Sequence, residues 1–152
     1  MHACTFIGNH DCPASVMRSL PDTLTSLISR GMVDLFYVGN HGQFDLAAAR
    51  ALGLAKKRYP QIKVFCVPAF LPKKKELLAY SDCDGVILPD FITRVSPILA
   101  IPSRNRWMID RSACVVTYIM RPEGNALQYA LEARAKGKAI LDLGPYRYWE
   151  EL

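Results

Sequence analysis

The sequence predicts a three-layer α/β/α fold around a mainly parallel sheet of about five strands, in the order 3-2-1-4-5. Three observations lead there. Short apolar, β-branched runs of strand length alternate with segments of helical period. The run over residues 62–67 is nearly continuous in apolar side chains, as a strand covered on both faces requires. Three strand ends carry a glycine turn followed by a helix, at Gly8, Gly39 and Gly124. A β-α-β-α-β succession calls for parallel strands and right-handed crossovers. At 152 residues the expectation is one domain over 1–152.

The first strand is read over 3–7 and ends at Gly8-Asn9-His10-Asp11. Pro13 suits the first position of the following helix, in which Val16, Leu20, Leu24, Leu27 and Ile28 keep helical spacing. Pro21 predicts a kink or a restart in that helix, and Gly31 closes it. A second strand over 33–38 leads into Gly39-Asn40-His41-Gly42. Phe44, Ala48, Ala51, Leu52 and Ala55 then form the apolar face of a second helix, stopped by Pro60. The third strand covers 62–67.

Residues 68–102 hold five prolines and one short apolar run, Gly85-Val86-Ile87-Leu88. They read as a short helix over 75–80, a minor strand and a long loop, and long loops in compact domains are often functional. A helix over 104–111 follows, with Ser103 as its N-cap after Pro102. The chain ends in a strand over 113–119, a turn through Pro122-Glu123-Gly124, a helix over 126–136 closed by Gly137, and a strand over 139–143.

Composition narrows the function classes. No apolar run approaches the length of a membrane span, and the N-terminus lacks a basic segment followed by an apolar one. The expected location is the cytoplasm, with no membrane partner. Five cysteines, an odd number without CxxC spacing, fit a reduced compartment, and the three histidines do not join them in a metal-ligand pattern, so no metal site is expected. The net charge of +5 is mild. Lys56-Lys57-Arg58 and Lys73-Lys74-Lys75 lack aromatic interleaving and read as solvated surface, so nucleic acid is not expected as a partner.

In a doubly wound sheet the ligand crevice opens at the carboxyl ends of the strands, where the strand order reverses. In the expected order, the turns at Gly8 and Gly124 meet in that crevice, with Gly39 beside them. Helix N-termini attract phosphate there through free N–H groups and the helix dipole. The candidate ligand-binding residues are Gly8, Asn9, Gly39, Asn40, Arg104, Arg106, Gly124 and Asn125. The two arginines read equally well as bidentate phosphate contacts or as an exposed helix turn paired with Asp110 or Glu123. His10 and His41 follow strand turns directly, where a ring can stack on a base, exchange a proton, or simply face solvent. Glu123, His10 and Asp11 are the candidate general acids or bases. Asp45 reads as a capping residue near a helix start.

The motifs Cys4-Thr5-Phe6-Ile7-Gly8, Phe36-Tyr37-Val38-Gly39-Asn40-His41-Gly42-Gln43-Phe44-Asp45 and Arg104-Asn105-Arg106-Trp107-Met108-Ile109 resemble a small single-domain branch of the SLOG superfamily. That superfamily is Rossmann-like and includes the LOG phosphoribohydrolases and the DNA-processing A proteins. The resemblance implies a nucleotide, ADP-ribose or NAD-like ligand at the strand ends, and for Asp45 a contact with a ribose hydroxyl. It also implies a homodimer formed through helices, to which the consecutive Trp107, Met108 and Ile109 would lend apolar surface. LOG enzymes carry a Pro-Gly-Gly-x-Gly-Thr-x-x-Glu loop whose glutamate works in N-glycosidic cleavage. Aligned on Pro122, this chain keeps one of the three glycines, and the glutamate position falls on Tyr129 or Ala130. The phosphate cradle is retained while the known hydrolytic carboxylate is lost. The resulting expectation is a nucleotide-ligand binding or sensing domain. The alternative is a diverged hydrolase or transferase acting on an N-glycosidic or phosphate bond.

Overall fold

A computed structural model describes residues 2–122 and 124–145. The sheet has six strands, all parallel: β1 (Ala3–Gly8), β2 (Leu35–Val38), β3 (Lys63–Cys66), β4 (Gly85–Val86), β5 (Cys114–Tyr118) and β6 (Ala139–Asp142). Their spatial order is β4-β3-β2-β1-β5-β6. This is the expected arrangement with one strand added, because the short run at Gly85-Val86 joins the edge beside β3. The order reverses between β1 and β5, which pair from Cys4↔Cys114 through Gly8↔Tyr118.

Among the described residues five α-helices complete the layers: α1 (Ala14–Ser29), α2 (Gln43–Arg58), the single turn α3 (Lys74–Leu77), α4 (Pro97–Asp110) and α5 (Asn125–Ala135). Strand side chains alternate between the two faces, so both faces of the sheet are apolar. Cys4 and Phe6 of β1 face one way and join Leu20 and Leu24 of α1 and Phe44, Ala48 and Leu52 of α2. Ala3 and Ile7 face the other way and join Met108 and Ile109 of α4 and Tyr129, Ala130 and Ala133 of α5.

α1 runs through Pro21 as one helix, without a restart there. One helix differs from the sequence reading. α4 starts at Pro97, with Ser96 at the N-cap position, two turns before the expected start at Ser103. Pro102 therefore lies inside α4. Its missing N–H leaves the Ile98 carbonyl without a helical partner, and Ile98 is 86% exposed, so water can serve that carbonyl. Proline is tolerated there because only the first turn loses a bond.

The expectation of a dimer through Trp107, Met108 and Ile109 loses its support. Met108 and Ile109 are buried in the chain's own core. Trp107 packs edge-to-face on Tyr37 with ring centroids 5.3 Å apart, and Arg111 lies 4.0 Å over its ring. No helix among the described residues is long and apolar enough to cross a membrane.

Candidate functional site

A crevice of about 270 Å³ opens at the carboxyl ends of β1, β2 and β5, on the switch point. Its β1 side is Gly8, Asn9 and His10; its β2 side is His41, Phe44 and Asp45. Arg121, Gly124, Asn125, Ala126 and Tyr129 form the β5 side, and Ile101, Arg104 and Asn105 of α4 close it.

The α5 N-terminus is the anion-attracting pole of this crevice. Gly124 is its N-cap, with φ 99° and ψ 171°, a conformation that essentially only glycine adopts. No side chain among the described residues caps it, so the first-turn N–H groups and the helix dipole are free to meet a ligand. Arg121 lines the same wall, and no ion pair among the described residues neutralises it. Arg121 was missed in the sequence because only its position after β5, in the turn itself, marks it.

The α2 N-terminus looks similar, but its first donor is already used. Its N-cap, Gly42, has nearly the same backbone, φ 95° and ψ 174°. The Gln43 N–H donates to the His10 carbonyl at 2.7 Å, and the His41 N–H donates to the Asp45 carboxylate at 3.0 Å. The glycine of this turn with positive φ is Gly42, not Gly39.

Gly8 and Gly39 are glycines for reasons of space rather than of φ. A Cβ on Gly8 would meet the Phe44 ring at 2.5 Å. A Cβ on Gly39 would lie 2.6 Å from both an Arg104 nitrogen and an Asp45 oxygen. Asn9 is a brace between the two strand-end turns: its N–H donates to the Tyr118 carbonyl at 3.0 Å, and its Oδ1 accepts from the Met120 N–H at 2.7 Å.

The two arginines part company. Arg104 is buried, 2% exposed, and donates to Asn105 Oδ1 at 2.8 Å, the Val67 carbonyl at 3.1 Å and Asn40 Oδ1 at 3.4 Å. All three acceptors are neutral, which leaves a positive charge in the crevice floor with no ion-pair partner among the described residues. The expected exposed turn, with Arg104 paired to Asp110, is not formed; Asp110 pairs with Lys136 instead. Arg106 turns away from the crevice. It makes a two-point contact with Glu132 at 3.0 and 3.1 Å and lies 5.7 Å from the centre of the Tyr129 ring. A candidate phosphate ligand is corrected to a surface ion pair, because α4 places successive residues on different faces.

Asp45 is the carboxylate of the crevice floor. Burial pushes it above its ordinary range, against the pull of the Arg104 charge and of the His41 N–H. Tyr129, on the position where LOG enzymes have their glutamate, also faces the crevice. Burial raises its phenol despite Arg106, so it stays a neutral hydroxyl. Ala130, the other alignment, is in the core. Of the remaining candidates, Gly39, Asn40 and Asp11 do not line the crevice, and Glu123 lies outside the described residues.

No family model and no curated protein matches the chain. Solved structures do. DNA processing protein A from Streptococcus pneumoniae superposes with a TM-score of 0.68 at 17% identity, over 93% of this chain and 50% of that one. DNA processing protein A from Helicobacter pylori superposes with a TM-score of 0.66 at 15% identity, over 96% of this chain and 66% of that one.

The fold is that of the DNA-processing A proteins.

At 15–17% identity the likeness to these proteins is one of fold. The chain spans half to two thirds of the DNA-processing A proteins it superposes on. One expectation is overturned. The Helicobacter pylori protein is described by its single-stranded DNA binding mode, so nucleic acid cannot be set aside as a partner class for a chain of this fold. The sequence reading looked for a basic run with interleaved aromatics. Single strands are also bound by stacking and phosphate contact in a crevice assembled from separate loops, and no linear run reports that.

Proposed function

We propose that this chain is a nucleotide-binding domain that acts by binding or sensing its ligand, without cleaving it. The observation that carries the reading is the open α5 N-terminus, with its Gly124 cap, in the same crevice as Arg121 and the unpaired Arg104. A phosphate is the group this combination suits: it accepts several N–H donors at once and offers a negative charge to two arginines that make no ion pair among the described residues. The volume of about 270 Å³ suits one nucleotide unit rather than a dinucleotide. Loss of the LOG glutamate, with a neutral phenol at Tyr129, favours binding over N-glycosidic hydrolysis.

A second form of the ligand has its own support. The Helicobacter pylori relative binds single-stranded DNA, and a nucleotide within a single strand presents the same phosphate, sugar and base. We place the chain in the cytoplasm, where its five thiols stay free.

A thermal-shift panel tests the reading. Adenosine 5′-monophosphate, ADP-ribose, NAD, a short single-stranded oligodeoxythymidylate and unphosphorylated adenosine are each added in excess. At about a hundred times its dissociation constant, a phosphate-bearing ligand should add roughly 2.7 kcal/mol of stability, and adenosine should add far less. Stabilisation by the oligonucleotide alone would assign the polymeric ligand. No stabilisation by any member would refute the reading.

A further inference from the structure

Opposite the phosphate pole, the crevice has a second feature that its anion chemistry does not use. His10 follows β1 and His41 follows β2, and both line the crevice while remaining exposed. Their rings meet edge to face, with centroids 5.0 Å apart and planes at 73°.

The pair is held by its backbone and left free at its rings. The His10 carbonyl accepts from the Gln43 N–H, and the His41 N–H is tied to Asp45. Gly42 makes room for it: a Cβ there would stand 2.9 Å from the His10 ring and 2.9 Å from its carbonyl oxygen. No side chain among the described residues hydrogen-bonds either imidazole. An edge-to-face pair leaves at least one face of each ring uncovered by the other. Two exposed, prepositioned aromatic faces on the wall of a nucleotide-sized crevice are a platform for a flat ring.

We infer that His10 and His41 form the base-binding wall of the crevice, stacking on an unpaired nucleobase whose phosphate sits at the α5 N-terminus. This rests on the nucleotide reading above and goes further, because it divides the crevice into two poles. The β5 side, with Gly124 and Arg121, takes charge; the β1 and β2 side takes the base. Stacking is tolerant of base identity, since every base has a π-face. The wall therefore selects for a base over no base, not for one base over another. A paired base has its faces covered by its neighbours in the duplex, so the wall also favours single strands over duplex.

The test compares adenosine 5′-monophosphate with ribose 5-phosphate by isothermal titration, in the wild type and in two double variants. The wild type should prefer the nucleotide by about tenfold or more, the worth of one stacked base. In His10→Ala/His41→Ala that preference should collapse to threefold or less. In His10→Phe/His41→Phe, which keeps the rings and removes their N–H groups, it should persist. Matching thermal melting curves would show that the fold is kept. An unchanged preference in the alanine variant would overturn the inference. So would loss of affinity for both ligands alike in the phenylalanine variant, which would mean that the imidazoles contact phosphate. If the wild type binds neither ligand, the nucleotide reading fails and this inference fails with it. If the wild type binds both equally, the nucleotide reading survives in part and only the base wall is lost.

Discussion

The Arg104 guanidinium lies against the backbone of Gly39, so close that a Cβ there would stand 2.6 Å from one of its nitrogens. The same Cβ would stand 2.6 Å from Asp45 Oδ2, so the glycine separates the buried cation from the buried carboxylate. Gly39→Ala must push one of them aside, and both are buried. The expected loss is about 1–3 kcal/mol, the usual cost of overpacking, read by urea unfolding. An unchanged midpoint would show that the crevice floor is looser than described.

Asp45 predicts a pH dependence. Its carboxyl is raised by burial, so the folded chain holds this proton at pH values where the unfolded chain has lost it. The associated stability is complete below the ordinary value of 3.8 and falls as pH rises through the raised one. Asp45→Asn removes the titration and keeps an oxygen for the His41 N–H. Its unfolding free energy relative to wild type should improve steadily as pH rises above about 4. A difference that stays flat with pH, measured by urea unfolding, would contradict this.

Arg121, not Arg106, should carry the phosphate contact. Arg106 is tied to Glu132 on the surface, with side chains 45% and 30% exposed. Arg106→Ala should cost about 0.2–1 kcal/mol of stability and leave nucleotide affinity within about twofold. Arg121→Ala should weaken a phosphate-bearing ligand by roughly 1.5–3 kcal/mol, as loss of a charge-assisted contact does. Titration calorimetry on both variants separates the two.

The strands, the switch point and the position of the crevice were legible in the sequence, because burial on both faces writes itself as continuous apolar runs and glycine marks the strand ends. The details that depend on packing were not. Gly39 and Gly42 stand three residues apart in one turn, and only their tertiary neighbours show that one makes room and the other bends the chain. Arg104 and Arg106 look interchangeable as letters. The 100° step per residue of α4 buries one and leaves the other outside. The start of α4 was hidden by Pro102, whose missing N–H costs little so near a solvated first turn.

In the proposed function the free α5 N-terminus, shaped by Gly124, binds a nucleotide phosphate. Gly124→Val tests it most directly. A Cβ there meets nothing within 4 Å, so the substitution does not clash with the chain itself and acts on the backbone, which valine cannot hold at φ 99°, and on the space a phosphate would fill. Isothermal titration with adenosine 5′-monophosphate should show binding by the wild type and a loss of at least about tenfold in the variant, roughly 1.4 kcal/mol or more, while circular dichroism shows the fold retained. Equal affinity in the two proteins would place the phosphate elsewhere and contradict the account.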